Sequence, residues 1–174
     1  MSTDLQNRVY IVTGGSRGFG LAIAKNLVEH GARVGFIGCS EAGLDQAVSA
    51  IGTHHAFGVA ADVGLRTEVR AALASIKTHF QRLDGLINNA GLAMPNTVEN
   101  LVEDEVMTQV QTNFLGTVFC SQAAIPLLRG GDNPRIVNIS SASAYHMDEM
   151  AHLSIYAATK AAVERFSRDL RREL

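Results

Sequence analysis

The chain has 174 residues, a formal charge of −2 and 47% hydrophobic residues. This length supports one domain with a sizeable core, over residues 1–174, and is too short for two. The near-neutral charge provides no basic patch for nucleic acid, and neither a membrane span nor a signal-peptide pattern is present. The two cysteines, Cys39 and Cys120, are far apart and fit no metal motif. We therefore expect a cytoplasmic protein with no metal site, no nucleic-acid partner and no membrane partner.

Strand and helix patterns alternate along the whole chain. Apolar runs predict strands at Val9–Val12, Arg33–Ile37, Ala56–Ala60, Leu83–Ile87 and Arg135–Ile139. Helical spacing predicts helices at Gly18–His30, Glu41–Ile51, Arg66–Phe80, Glu103–Leu128 and from Ser154 to the end. Strands that are apolar throughout are typical of a parallel sheet with helices on both faces. The pattern therefore predicts an α/β fold with a doubly wound parallel sheet in three α/β/α layers.

A glycine-rich loop joins the first strand to the first helix, and its sequence is Thr13-Gly14-Gly15-Ser16-Arg17-Gly18-Phe19-Gly20. Its glycines allow a tight turn and a close approach of the backbone to a ligand. The free N–H groups at the start of the helix favour a phosphate. The spacing T-G-x-x-x-G-x-G is a variant of the dinucleotide-binding fingerprint. Taken alone, the loop is also compatible with an ordinary structural turn.

Polar or glycine-rich loops follow each predicted strand. They are Gly14–Gly20, Gly38–Ser40, Asp62-Val63, Asn88–Gly91 and Ser140-Ser141. Right-handed crossovers in a parallel sheet bring such loops to one rim, where α/β sheets bind ligands. This convergence favours a Rossmann-type fold whose first loop binds a dinucleotide.

The end of the second strand bears on the choice between the two nicotinamide nucleotides. The strand ends in Ile37-Gly38-Cys39-Ser40, with no acidic residue before Glu41. An acidic residue at this place binds the ribose of NAD, whereas a nearby arginine accommodates the 2′-phosphate of NADP. Arg17 and Ser40 are therefore candidates for that phosphate, and the sequence favours NADP(H) over NAD(H). Glu41 keeps NAD open, although it also fits the start of the next helix, and Arg17 also fits a solvated loop cation.

Tyr156 and Lys160 are four residues apart in the last predicted helix, so they share one face. An ammonium group beside a phenol stabilises the phenolate, which makes the tyrosine a candidate acid and base for a carbonyl or alcohol. Such pairs also occur by chance on helix surfaces.

The order of the motifs adds specificity. The glycine loop, Asn88-Asn89-Ala90-Gly91, Asn113, Ile139-Ser140-Ser141 and the Tyr156–Lys160 pair follow one another along almost the whole chain. In this order the chain resembles the short-chain dehydrogenase/reductase family. The resemblance implies an oxidoreductase that moves a hydride between a nicotinamide nucleotide and a small-molecule carbonyl or alcohol.

The resemblance also implies roles for individual residues. Tyr156 would be the general acid/base, supported by Lys160, while Ser141 would polarise the substrate oxygen and Asn113 would hold a water molecule in a proton relay. The implied catalytic residues are thus Asn113, Ser141, Tyr156 and Lys160. The implied cofactor-binding residues are Gly14, Ser16, Arg17, Gly18, Phe19, Gly20, Ser40, Asp62, Val63, Asn89, Ala90 and Gly91, together with Tyr156 and Lys160.

Alternatives exist for several of these positions. Asn113 also fits an ordinary polar residue in a helix, and Asn88, Asn89, Asp62 and the two serines also fit turns and strand ends. The stretch between Ser141 and Tyr156 is longer than usual for the family, so Ser143 is a second candidate for the serine role. The same stretch contains Tyr145, expected in the substrate loop, the possible acid–base residues His146 and His152, and the apolar residues Met147, Met150 and Leu153, which fit a pocket or ordinary packing.

The family usually has a sixth strand after the last helix, and no such strand follows here. We therefore expect a fragment of a longer protein or a naturally short one, and an exposed edge on the fifth strand. The helix Glu103–Leu128 and the last helix resemble those that pair subunits in the family, with Gly116, Ala123 and Ala124 allowing close contact, so a homodimer or homotetramer is expected. A nucleotide-binding protein without catalysis, or an epimerase or dehydratase of the same fold, are the alternative functions. The substrate stays open.

Overall fold

The first strand, β1 (Val9–Thr13), lies at the centre of the sheet in the computed structural model of the protein, which describes residues 5–131, 133–145 and 151–174. The other strands are β2 (Arg33–Gly38), β3 (Ala56–Ala60), β4 (Gly85–Asn88) and β5 (Arg135–Asn138). All of them pair in parallel, in the order β3-β2-β1-β4-β5. The strand order reverses beside β1, which places a ligand-binding switch point at the carboxyl end of β1 and β4.

The helices that connect these strands are α1 (Gly18–Glu29), α2 (Glu41–Ile51), α3 (Arg66–Phe80), α4 (Glu103–Gln109), α5 (Gly116–Leu128) and α6 (Ser154–Glu173). Short 3₁₀ turns occur at Val98–Asn100 and Ala142–Ala144. The predicted ends of strands and of the first three helices differ from the observed ones by at most two residues. None of the described helices combines the length and the apolar character needed to cross a membrane.

The long predicted helix Glu103–Leu128 is wrong as a single regular element. Its middle residues, Val110–Leu115, form a π-helical segment between α4 and α5. The apolar spacing of the sequence continues through this segment and therefore gives no sign of the wider turn. Such turns occur frequently at functional sites, and this one contains the candidate residue Asn113.

Both faces of the sheet are buried, as the apolar strands predict. Val9 and Ile11 of β1 pack into a cluster with residues of α3 and α5, such as Leu73. Tyr10 and Val12 point the other way and pack with residues of α1 and α2. The alternation of side chains along one strand thus supplies two cores, and the three-layer α/β/α prediction is confirmed.

A charged clasp joins the starts of β1 and β4. The N–H group of Val9 donates to the carboxylate of Asp84 at 2.8 Å, and the N–H group of Asp84 donates to the carbonyl of Val9 at 2.8 Å. Arg82 binds the same carboxylate through two nitrogen atoms, at 2.6 and 2.8 Å. The pairing of β4 with β1 accordingly begins at Gly85 opposite Tyr10, two residues after the predicted start of the strand.

The outer edge of β5 is open among the described residues, since β5 pairs with β4 alone and Val137 is 46% exposed.

Two small residues of α5 pack inside the subunit, and not between subunits as the sequence had suggested. Gly116 packs on Val63, and a Cβ atom there would lie 2.8 Å from the Val63 Cγ2 atom. Ala124 is fully buried in the core. Gly116 and Ala124 therefore serve packing inside the subunit, which corrects the prediction that they allow contact between subunits.

Candidate active site

The glycine loop packs directly against the segment that follows β4. A Cβ atom on Gly14 would lie 2.9 Å from the Cα atom of Ala90, and Gly14 has a φ of +62°. A Cβ atom on Gly20 would lie 2.5 Å from the Gly14 carbonyl oxygen and 2.6 Å from Nδ2 of Asn89. In the part of the chain that the structure describes, no neighbouring atom lies within 4 Å of the corresponding position on Gly18. Gly14 and Gly20 thus close the base of the loop, while Gly18 faces open space.

Asn89 and Thr13 hold this contact together by hydrogen bonds. The Asn89 side-chain amide donates to the carbonyl oxygens of Thr13 and Gly14, at 3.0 and 3.2 Å. In return, the Thr13 hydroxyl accepts the N–H groups of Asn89 and Ala90, each at 3.0 Å. The side chain of Asn89 is therefore used to shape the loop. Thr13 begins the glycine loop and was not among the implied site residues, yet its hydroxyl belongs to the same network.

The start of α1 has free N–H groups. Arg17 occupies the N-cap position, and no side chain caps the helix. Arg17, Gly18 and Phe19 are all exposed, Phe19 by 66%. An uncapped helix start with a positive dipole end is suited to an anionic group.

The start of α2 is capped instead. The Ser40 hydroxyl accepts the N–H group of Gly43 at 3.2 Å, and Glu41 lies in the first turn of the helix. Ser16 of the glycine loop lies beside this turn, because a Cβ atom on Gly43 would be 3.5 Å from its Oγ atom. Ser16 and Ser40 therefore lie at the two sides of one small region at the end of β2.

Asp62 and Val63, which follow β3 after Ala61, are placed differently from each other. The Asp62 carboxylate accepts the N–H group of Gly64 at 2.8 Å, and the Asp62 N–H group donates to Glu68 at 2.8 Å. The Val63 side chain is 5% exposed and belongs to the core. Only the main chain of Val63 is thus left to face a ligand.

Burial, with the charges of Asp62 and Glu68, raises the pKa of the neighbouring Cys39 thiol, which disfavours a reactive thiolate.

Lys160 is buried at the start of α6, with 4% of its surface exposed. Its Nζ atom donates to the carbonyl oxygen of Ile139 at 2.8 Å and lies 5.8 Å from the ring centroid of Tyr156. Burial lowers the pKa of this ammonium group. A Cβ atom on Gly91 would lie 3.3 Å from both Lys160 Nζ and Asn113 Oδ1. The absence of a side chain at Gly91 therefore leaves room beside the lysine.

Asn113 is fully buried in the π-helical segment, and its side chain is occupied. Its carboxamide accepts the Leu92 N–H group at 2.8 Å and donates to the Leu92 carbonyl at 2.9 Å. It also donates to the Thr159 hydroxyl at 3.1 Å, and the Asn113 carbonyl accepts the Thr117 hydroxyl at 3.0 Å. Asn113 thus joins the chain after β4 to the helix that carries Tyr156 and Lys160.

Two residues missed in the sequence complete this connection. Gln109, fully buried, accepts the Met94 N–H group at 3.1 Å. Thr159 donates its hydroxyl proton to the Tyr156 carbonyl at 2.7 Å while accepting from Asn113. A signal for Gln109 was available, because an amide four residues before Asn113 lies on the same helical face.

The two candidate serines contact each other. Ser141 follows β5 and caps the turn Ala142–Ala144, where its Oγ atom accepts the Ser143 N–H group at 3.2 Å. The Oγ atoms of Ser143 and Ser141 are 2.9 Å apart. Ser141 is half-buried, whereas Ser143 is 6% exposed. The neighbouring Ser140 donates its hydroxyl proton to the Lys160 carbonyl at 3.2 Å.

The remaining candidates lie between this turn and α6. His152 is exposed, and its carbonyl accepts the Asn96 N–H group at 2.8 Å. Tyr145 is 58% exposed. His146, Met147 and Met150 lie outside the described residues. Over residues 5–131, 133–145 and 151–174, no three His, Cys, Asp or Glu side chains come together as a possible metal site.

The family model described as short chain dehydrogenase matches residues 8–174. The chain belongs to the short-chain dehydrogenase family. This membership confirms the resemblance predicted from the order of the motifs, and it makes the chain a member of an oxidoreductase family.

Several known proteins are similar to this short-chain dehydrogenase. An uncharacterized oxidoreductase of Staphylococcus epidermidis is 30% identical over 170 residues, which are 98% of this chain and 73% of that protein. An oxidoreductase of Botryotinia fuckeliana is 35% identical over 167 residues, which are 96% of this chain and 60% of that protein.

Two solved structures share the fold. A short chain dehydrogenase from Burkholderia cenocepacia in complex with NADP superposes with a TM-score of 0.92 and 34% identity, covering 99% of this chain and 70% of that one. A blue fluorescent protein from a metagenomic library, in complex with NADPH, has a TM-score of 0.90 and 29% identity over 99% of this chain and 70% of its own. The Rossmann-type fold class is thereby confirmed.

Proposed function

We propose that this short-chain dehydrogenase transfers a hydride between NADP(H) and the carbonyl or secondary alcohol group of a small molecule, with Tyr156 as general acid/base. The observation that carries the proposal is the buried ammonium of Lys160, 5.8 Å from the ring centroid of Tyr156. A buried positive charge beside the ring would stabilise the negative charge that develops on the substrate oxygen and the phenol during proton transfer.

The residues of the rim fit a dinucleotide. The Cβ positions of Gly14 and Gly20 are filled by neighbouring atoms, so larger side chains would open or block the loop there. The uncapped start of α1 offers N–H groups to a pyrophosphate. We propose that Gly14, Ser16, Arg17, Gly18, Phe19 and Gly20 line the phosphates, and that Ala90 and Gly91 line the adjoining ribose. Asn89 would act through the shape of the loop, and Asp62 and Val63 would meet the adenine, Val63 through its main chain.

Four features support NADP(H) over NAD(H). Arg17 is exposed on the glycine loop, and Ser40 uses its oxygen as a cap acceptor, which leaves its hydroxyl proton available. Glu41 lies in the first turn of α2, in keeping with its role as a helix-starting residue. The solved relatives from Burkholderia cenocepacia and from the metagenomic library hold NADP and NADPH. A 2′-phosphate would then be bound by Arg17 with Ser16 and Ser40.

The bound nicotinamide nucleotide supplies or accepts the hydride at the substrate carbon. In reduction, the Tyr156 hydroxyl gives its proton to the substrate oxygen, and in oxidation the phenolate takes that proton back. Lys160 stabilises the phenolate by its charge, while Ser141 donates a hydrogen bond to the same oxygen. Each of these groups acts where negative charge develops, which is the effective place for electrostatic stabilisation.

The role of Asn113 is narrower than the sequence implied. Its side chain is occupied by Leu92 and Thr159. We propose that the main-chain carbonyl of Asn113, which also accepts the Thr117 hydroxyl, binds a relay water molecule. The side chain then keeps the carbonyl in place.

Subunit pairing through α5 and α6, as a homodimer or homotetramer, belongs to the same proposal, and light scattering of the purified chain tests it.

The binding half of the proposal is tested by titrating the chain with NADPH, and with NADH as the control. Saturable binding with NADPH clearly tighter is the expected result. An Arg17→Ala variant should lose that preference while keeping its affinity for NADH. Tighter binding of NADH, or an unchanged preference in the variant, would contradict the assignment of NADP(H).

The catalytic half is tested by following NADPH oxidation with a panel of small ketones, sugars, steroids and fatty-acyl thioesters. Turnover that disappears in Tyr156→Phe and persists in the matched variant Tyr10→Phe supports the proposal, because Tyr10 lies in the core beneath the sheet. Tight nucleotide binding without turnover of any panel member would favour a non-catalytic nucleotide-binding protein instead.

A further inference from the structure

The hydroxyl oxygen of Ser141 is approached by two donors from one residue. Ser143 offers its main-chain N–H group at 3.2 Å and its hydroxyl at 2.9 Å. A serine oxygen has two acceptor lone pairs and one proton to donate. If both contacts are accepted by Ser141, its lone pairs are filled and its proton has to point elsewhere.

Burial decides the direction of the hydrogen bond between the two hydroxyls. Ser143 is 6% exposed, and among the described residues its hydroxyl has no hydrogen-bond partner except Ser141. A buried hydroxyl proton without an acceptor is costly. Ser141 is half-buried and can place its proton on an outside group. The stable arrangement therefore has Ser143 as donor and Ser141 as acceptor.

We propose that Ser143 is a positioning residue that fixes Ser141 as a hydrogen-bond donor toward the substrate oxygen. This inference rests on the proposed function, in which Ser141 donates to that oxygen. A hydroxyl that could rotate freely would spend part of its time presenting a lone pair, which repels the developing negative charge. Because Ser143 occupies both lone pairs of the Ser141 hydroxyl, the Ser141 proton already points toward the substrate site before the substrate binds. The hydroxyl therefore needs no reorientation during the reaction.

The assignment also distinguishes the two candidates for the serine that polarises the substrate oxygen. Ser143 is buried and donates its hydroxyl proton to Ser141, so it has no proton left for a substrate. Ser141 carries the outward proton, at the end of β5 and close to the Ser140 contact with α6. The serine pair then works as one donor, with Ser143 acting only through Ser141.

A double-mutant cycle tests this coupling, using the panel compound that the wild-type chain reduces fastest. Ser143→Ala should lower kcat/KM by about three- to tenfold, the range of one lost hydrogen bond, with the affinity for NADPH unchanged. Ser143→Thr, which keeps the hydroxyl, should restore most of the rate. In a Ser141→Ala background, Ser143→Ala should have no further effect. The matched variant Ser121→Ala removes a fully buried hydroxyl beside Asn88 and should leave kcat/KM unchanged.

The inference is overturned if Ser143→Ala lowers the rate equally with and without the Ser141 hydroxyl, or has no effect while Ser141→Ala does. Neutron diffraction from deuterium-exchanged crystals of the wild-type chain tests it without turnover. The expected deuteron belongs to Ser143 and points at Ser141. A deuteron on Ser141 that points at Ser143 would overturn the inference even in an active enzyme. Conversely, a chain without turnover whose deuteron belongs to Ser143 would contradict the proposed function and leave the serine geometry intact.

Discussion

The Nζ atom of Lys160 lies 2.8 Å from the carbonyl oxygen of Ile139, so the residue one turn after Tyr156 is tied to the end of β5. The side chain is 4% exposed, and burial lowers the pKa of its ammonium group. The protein thus keeps a positive charge in a place with little water, which costs stability in exchange for the field beside Tyr156.

Replacing this lysine by methionine should reveal that cost as a pH dependence. Between the lowered pKa in the folded protein and the ordinary value of 10.5, the unfolded chain binds more protons than the folded one. The contribution of Lys160 to the free energy of unfolding therefore rises with pH across this window. Below the window Lys160→Met should gain most stability relative to the wild type, and the gain should shrink as the pH approaches 10.5. Urea unfolding of both proteins over this pH range measures it, and a difference that stays constant would contradict the expectation.

Asn89→Ala should loosen the glycine loop. The change removes two hydrogen bonds to the carbonyls of Thr13 and Gly14 and leaves these oxygens with poorer partners. We expect a loss of about 1–3 kcal/mol in the free energy of unfolding, and weaker binding of NADPH. Asn100→Ala is the matched control, since within the described part of the chain its side-chain amide binds only the nearby Thr97 hydroxyl on the surface. Equal effects of the two variants on nucleotide binding would refute the role given to Asn89.

Gly20→Ala and Gly18→Ala should differ although both lie in the same loop. A Cβ atom on Gly20 meets the Gly14 carbonyl at 2.5 Å, so we expect a loss of about 1–3 kcal/mol from overpacking. Nucleotide affinity should fall by about tenfold, a loss of about 1.4 kcal/mol in binding. A Cβ atom on Gly18 has open space, and its φ of +54° adds a strain of about 1 kcal/mol. Thermal unfolding ranks the two variants, and a more severe loss in Gly18→Ala would be inconsistent with the loop geometry.

Asp84→Asn should weaken the clasp between β1 and β4 in a pH-dependent manner. Burial opposes ionisation of Asp84, but Arg82 and the Val9 N–H group outweigh it and lower the pKa of the carboxyl below 3.8. The stabilisation is therefore complete above the ordinary pKa and is lost as the pH falls through the lowered one. Arg82 is 42% exposed, so at neutral pH we expect a loss of about 2 kcal/mol, below that of a fully buried pair. Unfolding curves of both proteins should converge in acid, and a constant gap would count against the assignment.

The architecture was predictable because it depends on patterns that are local in the sequence. Each strand is a short, mostly apolar run, and a glycine or polar residue follows it directly or after one residue, as in Val9–Val12 before Thr13 and Gly14. The loops had to meet at one rim once the sheet was parallel. The π-helical segment around Asn113 was not predictable, because the apolar spacing continues through it and the partners of its buried asparagine, Leu92 and Thr159, are far away in the sequence.

The side-chain partners of the candidate site were also beyond the sequence. Asn89 appeared as a contact for the nucleotide, but its amide bonds the glycine loop. Val63 was also expected to contact the nucleotide, but its side chain is buried in the core, where it packs against Gly116. In both cases the position along the chain was informative and the direction of the side chain was not, since that direction is set by packing between distant elements. Ser143 could be named as a candidate, but its hydrogen bond to Ser141 is visible only in the folded turn.

The residues at the open edge of β5 disfavour the addition of further strands to the sheet. The strand has four residues, begins directly after Pro134, and starts with an exposed arginine, Arg135. A proline lacks the N–H group that a new strand would bind, and a short charged edge disfavours the stacking of further chains. Any strand that adds here must therefore be matched to a narrow stretch between Pro134 and the serine turn. Fibril-like polymerisation through this edge is therefore disfavoured.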